Sequence, residues 1–268
     1  MRNIILTCSL TLAIAIFFSC NKKESENKST GGNVVTGTCL PSGLNSGVLA
    51  FYPFGNGSIL DVSGNGHDLT NATNAVSTTD RAGNMNCAYL FNGQNFLTNA
   101  NAAFLNNLNQ FSISLWYEPL DTSSHNVHEY QVLICKDTGN TGRIWESYWS
   151  IGLYDCSRAV FLAKNNVWDK LIINIDQNDC YNEIAARTGS WHHLAATYDA
   201  SGNSMKIYRD GVLQASDVVN PLTSPIINIG DLTLGKYFTG KIDDIIIYNR
   251  ALSQTEVTQL SQLATCCN

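Results

Sequence analysis

The sequence predicts an all-β protein, a two-sheet antiparallel sandwich with a short C-terminal helix. From about Val48 onward, short runs rich in aromatic and β-branched residues alternate with clusters of Gly, Asn and Asp. Helical periodicity is almost absent over the same stretch. Many short strands with turn signals between them are typical of a sandwich, because each strand must bury one face against a second sheet.

The N-terminal residues precede this pattern and predict an export signal. In "MRNIILTCSLTLAIAIFFSC", Arg2 comes before an apolar run that extends from Ile4 to Phe18. The run is shorter than the roughly 20 apolar residues that span a bilayer, so residues 1–19 are typical of a secretory signal peptide.

The residues that follow predict a membrane anchor. Ser19 directly before Cys20 resembles a bacterial lipobox, which implies a lipid on Cys20. Residues 20–46 are polar and rich in Gly, Ser, Thr and Asn, as a flexible tether would be. We therefore expect a lipid-anchored protein of a bacterial cell envelope, exposed on the outer membrane, with plain secretion as the alternative.

The composition excludes some classes of protein. Charged residues make up only 14% of the chain and hydrophobic residues 44%, so the chain can bury a core and is not disordered. The formal net charge is −6, and no Lys/Arg cluster follows the tether, which excludes nucleic acid as a partner. We expect one large β domain over residues 47–263 and a short tail over residues 264–268.

Two segments give the most specific strand predictions. In "FSISLWYEP" the residues alternate, and the apolar set predicts a core face made of Phe111, Ile113, Leu115 and Tyr117. In "YRDGVL", Asp210 and Gly211 form a dipeptide that fits a type I′ turn, because both central residues of that turn need a positive φ. The second segment therefore predicts a β-hairpin.

The clearest helix signal lies at the C-terminal end. Ser253 and Glu256 have the spacing of a capping box, and Leu252 and Val257 can form the hydrophobic staple around it. We expect a helix over residues 254–262 that packs against the sandwich.

The cysteines predict disulfides. Apart from Cys8 in the signal and Cys20, seven remain: Cys39, Cys87, Cys135, Cys156, Cys180, Cys266 and Cys267. No CxxC pair or Cys/His spacing indicates zinc, and the odd number leaves at least one cysteine free or bonded elsewhere. We expect Cys39 to pair with one of the two terminal cysteines, because the ends of a sandwich domain often lie together.

Six blocks, taken in order, carry a resemblance to a known group of domains. They are "LAFYPFGNGSILDVSGNGHDLT", "CAYLFNG", "FSISLWYEP", "SWHHLAATYD", "KIYRDGVL" and "LTLGKYFTGKIDDIIIYNRALSQTEV". From about residue 47 to residue 261, the series resembles the laminin G/pentraxin group of the concanavalin A-like lectin/glucanase superfamily. The resemblance implies a jelly roll that is used outside the cell to bind glycans or proteins, and it does not by itself imply an activity.

The segment over residues 121–190 departs from this pattern. It carries three tryptophans, Trp145, Trp149 and Trp168. Sugars stack their apolar faces on flat aromatic rings, so these three are the candidate ligand-binding side chains. Trp116 and Trp191 lie in the matched blocks and are expected to pack in the core.

The loop "LDVSGNGHD" offers oxygen ligands for a hard cation. Asp61, Ser63, Asn65 and Asp68 supply side-chain oxygens, and Ca²⁺ takes about 6–8 oxygen ligands in all, backbone carbonyls among them. The spacing begins like an EF-hand, but its last ligand position lacks a carboxylate and strands flank it. The resemblance implies instead that calcium bridges Asp61 and Asn65 to Asp243 on a distant strand. A plain turn with both carboxylates in solvent is the alternative.

The spacing of the carboxylates disfavours catalysis. Asp243 and Asp244 are adjacent, so we expect them on opposite faces of a strand, with Asp244 near Arg250. Glycoside hydrolysis needs two carboxyls about 5–10 Å apart across one sugar, and no Glu-x-Asp-x-Glu run places carboxylates on one face. His192 and His193 are expected to be structural, because no Ser or Cys stands where it could pair with either.

Together these features predict a non-catalytic, calcium-stabilised laminin G-like domain that binds extracellular polysaccharide or glycoprotein at the cell surface. A structural or adhesive protein–protein interaction module is the alternative, and a glycoside hydrolase is third. An exposed tryptophan platform would favour a sugar, whereas a broad apolar patch would favour a protein.

Overall fold

The computed structural model describes residues 39–120, 130–137, 148–154, 158–164, 170–174, 189–218 and 230–266. These ranges contain strands β1–β14 and helix α1. Their bounds are β1 Val48–Tyr52, β2 Val76–Thr78, β3 Ala88–Asn92, β4 Leu97–Asn99, β5 Gln110–Pro119, β6 Tyr130–Lys136, β7 Trp149–Tyr154, β8 Arg158–Lys164, β9 Lys170–Asn174, β10 His192–Asp199, β11 Ser204–Arg209, β12 Val212–Asp217, β13 Leu232–Leu234, β14 Thr239–Tyr248 and α1 Gln254–Ser261.

The strands form two antiparallel sheets. The first sheet runs in the order β12-β11-β10-β5-β14-β3-β2, and β1 also pairs with β14. The second sheet runs in the order β4-β13-β6-β7-β8-β9. Because β14 is long, it pairs with β5 along one side and with both β3 and β1 along the other. This is the predicted all-β sandwich with a short C-terminal helix, and the fold class is confirmed.

The main core lies between the two sheets. The predicted apolar face of β5 belongs to it and is buried, as expected from the alternation of Phe111, Ile113, Leu115 and Tyr117. Phe111 stacks on Tyr198 of β10 with ring centroids 5.2 Å apart. It also lies 5.5 Å from the ring of Trp149, on β7 of the second sheet. This aromatic cluster therefore joins the two sheets.

A second apolar cluster covers part of the outer face of the first sheet. Val257 and Leu260 of α1 pack there against side chains of the sheet, among them Phe51, Tyr208 and Ile246. The sheet is therefore buried on both faces near α1. Side chains on the outer face of the first sheet, which would face solvent without α1, are covered by the helix here.

The two ends of the described chain meet beside α1. Cys39 and Cys266 form a disulfide with their Cα atoms 5.6 Å apart, which confirms the predicted pairing. Cys87 is disulfide-bonded as well. The first disulfide closes a loop with a sequence separation of 227 residues, so it ties together nearly the whole domain.

The folded domain extends beyond both predicted boundaries. Leu40 and Leu44 are buried in the cluster beside α1, and Ser42–Leu44 forms a 3₁₀ turn. Residues 39–46 therefore pack as part of the domain rather than as tether, and the described part of the predicted tail, residues 264–266, is held by the disulfide. The predicted signal and the remaining tether, including Cys20, lie outside the described residues.

Two local predictions are confirmed. β11 and β12 form a hairpin in which Asp210 has a φ of 51° and Gly211 a φ of 80°. α1 begins one residue after Ser253, whose side chain accepts from the backbone N–H of Glu256, while the Glu256 side chain accepts from the backbone N–H of Ser253.

Within the described ranges, no helix has the length and apolar character needed to cross a membrane.

Candidate functional site

The two adjacent carboxylates of β14 lie at a β-bulge. Asp243 is opposite Trp116 of β5, and the pairing resumes with Ile246 opposite Ser114, so β14 carries one extra residue here. Asp244 adopts the left-handed conformation with a φ of 46°. Because the bulge interrupts the alternation of the strand, both carboxylates reach the same cation. The predicted placement on opposite faces is therefore wrong.

The shared cation is Arg81, in the turn between β2 and β3. Its Nη1 lies 3.0 Å from Asp243 Oδ2 and 2.7 Å from Asp244 Oδ2. Its Nη2 donates to the carbonyl oxygen of Leu263 over 3.1 Å. The guanidinium also lies 4.3 Å from the centre of the Trp116 ring. Arg81 therefore combines an ion pair, a backbone hydrogen bond and a cation–π contact.

Sequence reasoning missed Arg81 and assigned Asp244 to Arg250 instead. Arg250 binds elsewhere: its Nη2 lies 2.7 Å from Glu256 Oε1, and its Nε donates to the carbonyl oxygen of Ser46. The sequence separation between Arg81 and Asp243 is 162 residues. Only the register of β14 against β3 brings them together, so no local motif marks the pair.

Burial dominates the electrostatics of this carboxylate cluster. The side chains of Arg81, Asp243 and Asp244 are 10%, 1% and 8% exposed. Burial, together with the charge of Asp244, raises the pKa of Asp243 well above its usual range, although Arg81 acts in the opposite direction. Burial also raises the pKa of Asp244 to about 6, again opposed by Arg81. Arg81 is therefore the group that makes ionised carboxylates tolerable at this place.

The C-terminal segment covers the carboxylate cluster. The backbone N–H of Cys266 donates to Asp244 Oδ2 over 3.3 Å, and the carbonyl of Leu263 accepts from Arg81. The disulfide from Cys39 holds the same segment in place. The cluster thus joins β14, the β2–β3 turn and the end of the chain.

A buried serine–histidine pair lies beside the cluster. Ser114 Oγ is 2.8 Å from His193 Nε2, so the expectation that no serine pairs with either histidine is wrong. Burial lowers the pKa of His193 to about 3, so its imidazole is neutral at neutral pH. Ser114 and His193 are 2% and 0% exposed, so a substrate cannot reach the hydroxyl without local unfolding.

Both histidines have structural contacts with the hairpin turn. The Nδ1 atom of His192 lies 2.9 Å from Asp210 Oδ2, and the backbone N–H of His193 donates to Asp210 Oδ1 over 2.9 Å. Asp210 thereby fixes the turn of the β11–β12 hairpin to β10. These contacts agree with the structural role expected for the two histidines.

Asp61 organises the loop between β1 and β2 through backbone hydrogen bonds. Its Oδ1 accepts from the N–H groups of Phe51 and Ser63, each over 2.9 Å, and its Oδ2 accepts from the N–H of His67 over 3.0 Å. The side-chain amide of Asn65 donates to carbonyl oxygens of β1. The loop is therefore held against β1 by the two side chains that were predicted to bind calcium.

These contacts do not fit a calcium ion shared by Asp61, Asn65 and Asp243. Both carboxylate oxygens of Asp61 already accept hydrogen bonds from backbone N–H groups. Asp243 faces the positively charged guanidinium of Arg81, where a cation would be repelled. Among the residues that the structure describes, no group of three or more His, Cys, Asp or Glu side chains could hold a metal ion. Binding of calcium stays an untested prediction.

The structure places one of the three tryptophans predicted to bind ligand. Trp149 is 3% exposed and packs in the core between the sheets, because it starts β7 on the face that meets Phe111. Its predicted role in ligand binding is wrong. Trp145 and Trp168 lie outside the described residues.

Two further tryptophans differ from expectation. Trp116 and Trp191, which were expected in the core, are only half-buried. Trp116 lies beneath Arg81 on the outer face of the first sheet, and Trp191 has the ammonium of Lys241 5.9 Å from its ring centre. The outer face of this sheet therefore carries aromatic rings covered by cations.

A comparison with models of protein families decides the family. Residues 91–258 match a laminin G-type model of the concanavalin A-like lectin/glucanases superfamily. The chain belongs to this superfamily. The matched range starts in β3 and ends in α1, so it includes the bulge of β14 and the capping box of the helix. The resemblance stated from the sequence blocks is confirmed.

Solved structures share the two-sheet sandwich at low sequence identity. The binding domain of Paraclostridial Mosquitocidal Protein 1 is 20% identical with a TM-score of 0.66, and the match covers 81% of this chain and 52% of that chain. A structure of botulinum neurotoxin type C, whose cell entry depends on interaction with two ganglioside molecules, is 20% identical with a TM-score of 0.64. That match covers 82% of this chain and 52% of the toxin chain. The binding domain of botulinum neurotoxin DC in complex with rat synaptotagmin II is 20% identical with a TM-score of 0.64 and coverages of 81% and 52%.

The chain thus spans about half the length of these structures, at 52% coverage, and the likeness concerns the fold. A search of curated proteins finds no match to the sequence.

Proposed function

We propose that this domain binds an extracellular glycan or glycoprotein without transforming it. The observation that carries the proposal is that both carboxylates of β14 are engaged in contacts that stabilise the fold. Asp243 and Asp244 are held by Arg81 and covered by the C-terminal segment. Carboxylates engaged in this way cannot act as the acid and base of glycoside hydrolysis, which must flank a sugar. The superfamily contains both lectins and glucanases, so membership supports an interaction with a glycan, and the likeness to toxin binding domains supports a binding role.

We also propose that a lipid on Cys20 anchors the domain to a bacterial cell envelope, at the surface of the outer membrane. Ser19 and Cys20 after the apolar run, and the polar residues that follow, support this placement. Mass spectrometry of the N-terminus of the protein from membranes provides the test. We expect a diacylated or triacylated Cys20, and a cleaved terminus without lipid would contradict the proposal.

A protein partner is the second candidate. In the described part of the chain, β12 forms an edge of the first sheet, and Val212 and Leu213 are 60% and 43% exposed. Val218, just beyond β12, is 68% exposed. An exposed apolar edge strand can accept a strand from another protein.

A glycan array separates these candidates. The mature chain with Cys20→Ser would be applied to immobilised polygalacturonate, xylan, heparan sulfate and mucin O-glycans. The proposal predicts saturable binding to at least one of them. An empty array, together with a protein partner whose retention survives enzymatic deglycosylation, would favour the second candidate. New reducing ends on a bound glycan would contradict a non-catalytic role.

A further inference from the structure

The turn between β13 and β14 contains an unusual backbone conformation. In the described chain, ten residues other than glycine have a positive φ, and eight of them are Asn or Asp. Those two residue types tolerate the left-handed region because their short polar side chains can form local hydrogen bonds. The two exceptions are Phe54, with a φ of 55°, and Tyr237, with a φ of 62°.

Burial accounts for one exception and leaves the other unexplained. Phe54 is 0% exposed and packs edge-on against Tyr89 with ring centroids 4.9 Å apart, so its burial offsets the strain. Tyr237 is 49% exposed. Strained residues cluster at binding and catalytic sites, so an exposed strained residue is a candidate functional residue.

The backbone on both sides of Tyr237 is fixed. The carbonyl of Lys236 accepts from a backbone N–H of β6 over 2.9 Å. Phe238 donates its N–H to Gly235 over 3.1 Å, and its carbonyl accepts from the N–H of Gly93 over 2.9 Å. The side chain of Phe238 is fully buried. The Tyr237 ring is therefore presented on a rigid turn.

Lys236 adds a cation to this aromatic turn. Its Nζ lies 5.5 Å from the ring centre of Tyr237 and 5.7 Å from that of Phe96. An ammonium group this close to an exposed ring places hydrogen-bond donors next to a flat apolar surface.

We propose that Tyr237 and Lys236 form a saccharide-binding site, which rests on the proposed glycan-binding function. A sugar ring would stack on Tyr237, and its hydroxyl or carboxylate oxygens would accept hydrogen bonds from Lys236 Nζ. Sugars present an apolar ring face surrounded by oxygen acceptors, which matches this pairing of ring and donor. Tyr237 lies just before the start of β14, whereas Asp243 and Asp244 of the carboxylate cluster lie in the middle of the strand. The proposed binding site and the carboxylate cluster therefore use different parts of β14.

The test compares binding and folding in the same variants. Tyr237→Asn removes the ring and installs a residue that tolerates the left-handed conformation, while Tyr237→Phe keeps the ring. Lys236→Met keeps the apolar stem against the rings and removes the charge. Asn107→Gly is the matched control, because Asn107 is an exposed residue with a φ of 60° in another loop. Affinity is measured by biolayer interferometry on the array glycan that retains the wild type most strongly, and Tm by circular dichroism.

We expect Tyr237→Asn to weaken binding about tenfold or more, with a Tm equal to or above that of the wild type. Tyr237→Phe and Asn107→Gly should bind within about threefold of the wild type, and Lys236→Met should bind about three- to tenfold more weakly. Wild-type affinity in Tyr237→Asn would overturn the site and leave the proposed function standing. A lower Tm with unchanged affinity would make the ring a structural contact. If no glycan retains the wild type, the proposed function fails and the site fails with it.

Discussion

Replacing Arg81 by Met should destabilise the domain strongly at neutral pH. The change keeps much of the apolar stem and removes the cation between Asp243 and Asp244, whose side chains are 1% and 8% exposed. Removing one partner of a buried ion pair destabilises proteins by about 3–5 kcal/mol, because the remaining charge is left without compensation. For a domain of this size, the loss corresponds to a fall in Tm of roughly 6–20 °C.

The loss should depend on pH in a definite direction. A carboxyl whose pKa is higher in the folded than in the unfolded protein binds its proton more tightly when folded. The free energy of unfolding therefore falls as pH rises from about 4, the unfolded value, towards the folded pKa. For Asp244 this window ends at about 6 in the wild type. Arg81 lowers the pKa of Asp243 and Asp244, so the Met variant should extend the window to higher pH.

Urea unfolding followed by tryptophan fluorescence, with the disulfides intact, measures this effect. We expect a deficit against the wild type of about 1 kcal/mol at pH 4.5, from lost hydrogen bonds, and of about 3–5 kcal/mol at pH 7.5. Arg250→Met is the control, because Arg250 pairs with Glu256 at a more exposed site, 25% and 22% exposed. It should lose less than about 1 kcal/mol. A deficit for Arg81→Met that is equal at both pH values, or no larger than that of the control, would refute the reasoning.

Two further predictions concern the ends of the domain and the β1–β2 loop. Replacing both Cys39 and Cys266 by Ser should lower the free energy of unfolding by about 3–5 kcal/mol, because the bond closes a very long loop. Urea midpoints measure this, and a variant as stable as the wild type would contradict it. Asp61→Ala should cost about 2–4 kcal/mol by leaving backbone N–H groups without an acceptor, equally with and without a chelator. A chelator that lowers the Tm of the wild type but not of Asp61→Ala would instead establish the calcium clasp.

Most of the fold could be predicted because its signals are local. The alternation in β5, the Asp210–Gly211 dipeptide and the Ser253 capping box each depend on residues within a few positions of one another. The alternation follows from the two-residue period of a strand, the dipeptide from the positive φ of a type I′ turn, and the capping box from the unpaired N–H groups at a helix start. These causes act without tertiary context. The structure reproduces all three.

The candidate site could not be predicted in the same way. The alternation rule placed Asp243 and Asp244 on opposite faces, but a bulge set by pairing with β5 brings them together. Their partner Arg81 approaches through the register of another strand pair. Trp149 was assigned to ligand binding by its place in an unmatched segment, whereas packing against Phe111 buries it. Long-range register and packing carry no signal within a short stretch of sequence.

The most direct test of a binding role without catalysis is one incubation with two measurements. The mature chain is mixed with the array glycan that it retains most strongly, at pH 7.5, and both the bound fraction and the chain length of the recovered glycan are determined. We predict saturable binding and a glycan of unchanged length after prolonged incubation. Shortened chains, or a bound fraction no higher than that of heat-unfolded protein, would contradict it.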